Sequence, residues 1–105
     1  MNEREEVAEI AMQIIANAGE ARGKVHEALE ACIKKDFEKA KKLMEEANEY
    51  IINANRITHH LLSKEAKGER VLITLLLTHA LDILMIAIVE RDLANKIMRL
   101  IMSQS

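Results

Sequence analysis

Apolar residues recur every third or fourth position along most of the chain, in three separate runs. In the first, Val7, Ala11, Ile14, Ala18, Ala21, Val25, Ala28 and Cys32 alternate spacings of four and three. That is a seven-residue repeat, the seam of a left-handed helical bundle. Ile10, Ile15 and Leu29 widen it into a stripe. The run predicts a helix over Glu3–Ile33, with Glu3, Glu5 and Glu6 favourably placed in its first turn. Lys34-Lys35-Asp36 breaks the pattern, and Asp36 suits the N-cap of a second helix over Phe37–Ala66. Its seam is Phe37, Ala40, Met44, Ala47, Ile51, Ala54, Thr58 and Leu61, with small residues among the large ones. Gly68 is the expected stop. A third helix is predicted over Val71–Met102, and Ser103-Gln104-Ser105 reads as a frayed end. Short connections make the three antiparallel neighbours. The expectation is an all-α, antiparallel three-helix bundle formed by one domain over residues 1–105.

The third run differs from the others. From Val71 to Val89 it is almost wholly apolar, yet His79 and Asp82 lie near its middle. Its length approaches that of a membrane span. Asp at the centre of such a span costs roughly 2.5–3.5 kcal/mol, and the two preceding helices are amphipathic, so a buried helix, apolar all round, is the better account. Two neighbours cannot cover such a helix. Self-association around the third helix is the economical remedy. Thr74, Thr78 and Asp82 are four apart on one face, with His79 one step round. In a symmetric oligomer that line would meet its own copies near the axis. A ring of carboxylates there would repel itself unless protonated or neutralised by a cation such as Mg²⁺ or Ca²⁺.

Composition narrows the function classes. Charged residues make up 30% of the chain, the net charge is −2, and the only aromatics are Phe37 and Tyr50. Neither a basic stripe nor a stacking platform for nucleic acid is present. Lys34, Lys35, Lys39, Lys41 and Lys42 are interleaved with Asp36 and Glu38, which describes a solvated helix face. The single cysteine, Cys32, excludes an intramolecular disulfide. The acidic start, Met1-Asn2-Glu3-Arg4-Glu5-Glu6, is unlike a signal peptide, so a cytoplasmic protein without membrane insertion is expected.

His79 is the first candidate for chemistry, because an imidazole can be a nucleophile, a base or a metal ligand. A lone histidine on an apolar helix is more often a core residue. Asp82, three positions on, shifts the balance, since a carboxylate can orient the ring. His59 and His60 are adjacent and therefore point about 100° apart on a helix. With His26 they read as surface or interface histidines. Gly19 and Gly23 lie mid-helix, each costing about 1 kcal/mol against Ala. They predict close helix packing or, alternatively, a notch with Arg22 on its rim. HExxH, GxxxxGK and GxSxG are all missing from the chain.

Thr78-His79-Ala80-Leu81-Asp82-Ile83-Leu84-Met85 resembles the His-Ala-Gln-Asp-His-Leu-Met signature of the lactose/cellobiose-type IIA proteins of the bacterial phosphotransferase system. The likeness extends to Ala18-Gly19-Glu20-Ala21-Arg22, Asp36-Phe37-Glu38-Lys39-Ala40 and Glu65-Ala66-Lys67-Gly68-Glu69. It implies a homotrimer of three-helix subunits, trimerising through the third helix. It further implies that His79 takes a phosphoryl group from a phosphohistidine carrier protein and passes it to a IIB partner. Asp82 would lie on the axis, where three copies could hold a divalent cation such as Mg²⁺.

The chain departs from that pattern. Leu81 and Ile83 replace the signature Gln and second His, and Asn55, Thr58 and His59 stand where the family usually has His, Gln and Thr. A second reading follows, in which the chain is an engineered or inactive trimeric scaffold. Its apolar surface would then serve as an assembly interface for a second component.

Overall fold

Each helix begins on a side chain that closes its first turn. In the computed structural model, which describes residues 1–105, α1 (Glu3–Ile33) starts behind Asn2, whose Oδ1 accepts the Glu5 N–H at 2.8 Å. Asp36 caps α2 (Phe37–Ala66) by accepting from Lys39 at 3.3 Å, as its position predicts. Thr74 caps α3 (Leu75–Ser103) through a 3.0 Å bond from the Leu77 N–H.

That third cap corrects the expected boundary. The apolar run starts at Val71, but α3 starts at Leu75, and Thr74 itself is extended (φ −111, ψ 165). Periodicity cannot separate the two cases, because Val71 and Leu72 pack on the core from a non-helical segment. Thr74 therefore leaves the expected polar line, and only Thr78 and Asp82 continue it on α3.

The α1–α2 and α2–α3 connections end their helices in the same way. Asp36 N–H reaches back to Ala31 and Lys35 N–H to Cys32; Glu69 N–H reaches Lys64 and Gly68 N–H reaches Glu65. This paired arrangement needs one left-handed residue. Gly68 takes that role at φ 84, whereas Lys35 takes it at φ 65 with a full side chain, a strain of about 1–2 kcal/mol.

The bundle measures 53 × 23 × 18 Å. α1 lies along both other helices, while α2 and α3 touch sparingly. The predicted α1 seam is buried at every position from Val7 to Cys32. The core has two parts. One joins the first half of α1 to Ile51, Ala54, Leu61, Leu77, Ala80, Leu84 and Ala87. The other joins Val25, Ala28 and Cys32 to Ala40, Met44, Ala47, Ala94 and Met98. Eleven of the 22 buried residues are alanine, so the helices stand close together. No helix is long and apolar enough to cross a membrane.

Candidate phosphoryl site

His79 projects from the second turn of α3 and is exposed. It makes no hydrogen bond or ion pair within the chain, and the same is true of Asp82. The two share a helix face but do not bond to each other, so the expected orienting contact is not made in a single subunit. Asp82 lies instead in a line of exposed side chains: Leu75, Thr78, Asp82, Ile86, Val89, Leu93, Ile97 and Leu100. Leu75, the first helical residue, is 87% exposed. The spacings repeat as three, four, four. That is 11 residues in three turns, about 3.67 per turn, so the stripe runs nearly straight along α3. The expected helix apolar all round is thus a helix with one buried face and one straight uncovered stripe.

Leu81 and Ile83 point away from the stripe and are half-buried against the core. Leu81 also lines a pocket of about 100 Å³ with Thr58, Leu61, Leu62, Val71 and Ile73. Thr58 Oγ1 donates its proton to the Ala54 carbonyl at 3.1 Å, leaving no donor for that pocket. The two residues that replace signature polar groups therefore serve as packing. His59 and His60 are both exposed on α2.

Sequence reasoning did not find the polar cluster around Glu90. Arg22 Nε donates to Glu90 Oε1 at 2.6 Å, and His26 Nε2 lies 2.9 Å from Oε2. These groups tie α1 to α3 where the two halves of the core meet. The Arg22–Glu90 pair joins residues 68 positions apart, and no local pattern encodes that register. The hydrogen bond from Arg22 chiefly holds the Glu90 carboxyl below the usual carboxylate range; partial burial opposes it, and His26 adds to it. A depressed carboxyl contributes stability above its ordinary value of 4.5 and loses it as pH falls through the folded value. Glu90→Gln should therefore melt below the unsubstituted chain at neutral pH. The gap should close as pH falls from about 4.5, which thermal melts by circular dichroism would follow.

Gly19 and Gly23 do not mark close packing within the subunit. A Cβ built on either meets nothing within 4 Å, and both are exposed. A hollow of about 600 Å³ lies near the α1–α2 connection between His26, Glu30, Lys34, Asp36 and Lys39. Its mixed charges include no metal-binding cluster, and none occurs elsewhere in the subunit.

The chain is similar to known proteins along most of its length. Residues 9–102 match the family model described as PTS system, Lactose/Cellobiose specific IIA subunit. The chain is 41% identical over 97 residues to the lactose-specific EIIA component of Staphylococcus epidermidis, covering 92% of this chain and 93% of that one. It is 38% identical over 96 residues to the lichenan-specific phosphotransferase enzyme IIA component of Bacillus subtilis, covering 91% and 87%. Among solved structures, PtcA from S. mutans superposes with a TM-score of 0.90 at 35% identity, covering 96% of this chain and 98% of that one. The cellobiose-specific enzyme IIA of Bacillus anthracis gives 0.87 at 35% identity, covering 91% and 88%.

Proposed function

Because the chain belongs to the lactose/cellobiose-specific IIA family of the phosphotransferase system, we propose that it is a cytoplasmic phosphocarrier using His79. The observation that carries the reading is the free imidazole of His79, exposed on α3 and claimed by no neighbour. Uptake is from a phosphohistidine carrier protein. The new P–N bond forms on the lone pair of a His79 ring nitrogen as the donor's P–N bond breaks, and the bonding pair returns to the donor's ring. In a second displacement a nucleophile of the IIB partner forms the new bond to phosphorus as the His79 P–N bond breaks, and the bonding pair returns to the His79 ring. Such a transfer asks mainly for position and charge, so a surface histidine is sufficient apparatus.

The α3 stripe supports a homotrimer. A straight apolar stripe on three parallel helices can meet itself along a threefold axis, with Asp82 as its charged member. The three Asp82 carboxylates would hold a divalent cation such as Mg²⁺. A subunit alone has no such cluster, but Asp82 is unpartnered amid apolar residues, which fits a ligand shared between copies. The cation would supply charge neutralisation at the axis. With a chelator present, so that the carboxylates are not neutralised, Asp82→Leu should raise the melting temperature of the trimer; a fall under those conditions would count against a carboxylate ring at the axis.

Incubation with phosphoenolpyruvate, enzyme I and the histidine carrier protein tests the carrier reading. An acid-labile phosphate should appear in the intact mass, and no adduct would sink the reading. One observation favours the alternative reading of an assembly scaffold. Ile73, 68% exposed, and Leu62 surround the Leu81 pocket outside the α3 stripe. A particle much larger than three 11.9 kDa chains, with no adduct, would favour that reading instead.

A further inference from the structure

A threefold axis along α3 determines which other surfaces meet. On α1, the charged or titratable side chains at the edge of the α3 contact are Arg22 and His26, both on Glu90. At about 100° per residue, the positions next outward are Met12, Gly19 and Gly23. Met12 is 55% exposed, and the glycines leave open space. On α2, Asn48 reaches Arg91 of α3 at 3.5 Å. The same α2 seam continues outward through Ile52, Asn55 and His59. Ile52 is 52% exposed, and His59 is exposed. One uncovered flank therefore borders the stripe on the α1 side and another on the α2 side. A ring closed around the stripe brings the α1 flank of each copy against the α2 flank of the next.

Rotation about an axis along the helices leaves height unchanged, so residues that meet across copies are level within one subunit. α1 runs parallel to α3. Eleven residues back from Glu90 is His79, and eleven back from Arg22 is Ala11, beside Met12. α2 runs antiparallel. Twelve residues back from Arg91 is His79, and twelve on from Asn48 is His60, beside His59. The Lys24–Glu46 ion pair independently sets Met12 level with Thr58. At about 1.5 Å per residue, Met12, His59 and His79 agree within a turn. By the same count Ile52 is level with Gly19, so an apolar side chain meets the gap that the glycine leaves.

We infer that His59 of the neighbouring subunit completes the phosphoryl site of His79, seated by Ile52 over the Gly19–Gly23 gap. The inference rests on the trimeric phosphocarrier reading and adds to it a second imidazole supplied by another copy. No bond at His59 is made or broken. Its ring N–H donates to an oxygen of the phosphoryl group on His79, holding the group in line and sharing its charge.

Two experiments test this. Oxidation of Met12→Cys/His59→Cys should give covalent dimers and trimers on a denaturing gel. Met12→Cys/Ile52→Cys, about 10 Å out of level, should give few. No cross-link in a preparation that sizing shows to be trimeric overturns the placement. A monomeric preparation overturns the trimer, and the placement with it. The second experiment mixes His59→Gln and His79→Gln chains into one trimer, so that an intact His79 gains an intact His59 only from another chain. Phosphoryl uptake per intact His79 should be roughly tenfold faster than in His59→Gln trimers, a rescue that a merely structural role would not produce. Equal rates overturn the role of His59, whereas failure of the unsubstituted protein to take up phosphate overturns the carrier reading itself.

Discussion

His79→Gln should leave a folded trimer that takes up no phosphoryl group. Glutamine is close in size and is a good helix former, but its amide nitrogen has no free lone pair to attack phosphorus. The imidazole it replaces is exposed and bonded to nothing. Its removal should therefore move stability by no more than about 0.5 kcal/mol. The separation of the two effects makes the variant informative. Intact mass after incubation with the phosphoryl-donating proteins reads the loss of function, and a thermal melt reads the retained fold. An acid-labile adduct that persists on His79→Gln would move the acceptor to another residue, with His59 and His60 the next to substitute.

Leu93→Glu should reduce the oligomer to single chains. Leu93 is exposed in the subunit and sits in the α3 stripe, 11 residues after Asp82. In one chain the substitution touches nothing in the core. In a trimer it removes three apolar side chains, each contributing about 1.5–3 kcal/mol when buried, and brings three carboxylates together away from water. Sedimentation should then fall from about 36 kDa, three chains of 11.9 kDa, to one chain. Retention of the trimer would remove the stripe from the interface.

Helical periodicity made most of the fold legible. The α1 and α2 ranges, the buried α1 seam and all of the α2 seam but the half-buried Phe37 and Thr58 follow from spacings of three and four, because each helix rests one face on a neighbour. The start of α3 was not legible. Val71, Leu72 and Ile73 continue an apolar pattern while the backbone is not helical, and the side chain of Thr74 caps the helix where it begins. The close approach expected of Gly19 and Gly23 does not occur within the chain, where both face open space. His79 and Asp82 could be singled out because polar groups are conspicuous in an apolar run. Their mutual bond could not be judged, since a spacing of three permits contact without requiring it. The Glu90 cluster depends on how α1 and α3 slide against each other, and that register is a property of the packed pair. Leu81 and Ile83 are clearest in three dimensions, where they act as packing against the core.

Half of the buried positions are alanine, and this limits how the sequence can drift. A core of leucine and isoleucine can change by losing methyl groups and closing around the loss. Here the only smaller residue is glycine, which weakens a helix by about 1 kcal/mol. Nearly every other substitution at these sites adds volume and pushes two helices apart. An enlargement at Ala80 or Ala87 would shift α3 within the chain, and in the proposed trimer symmetry would repeat the shift in every copy. Variation is therefore channelled to the outward faces of α1 and α2, where new side chains can appear without moving the helix that carries the histidine.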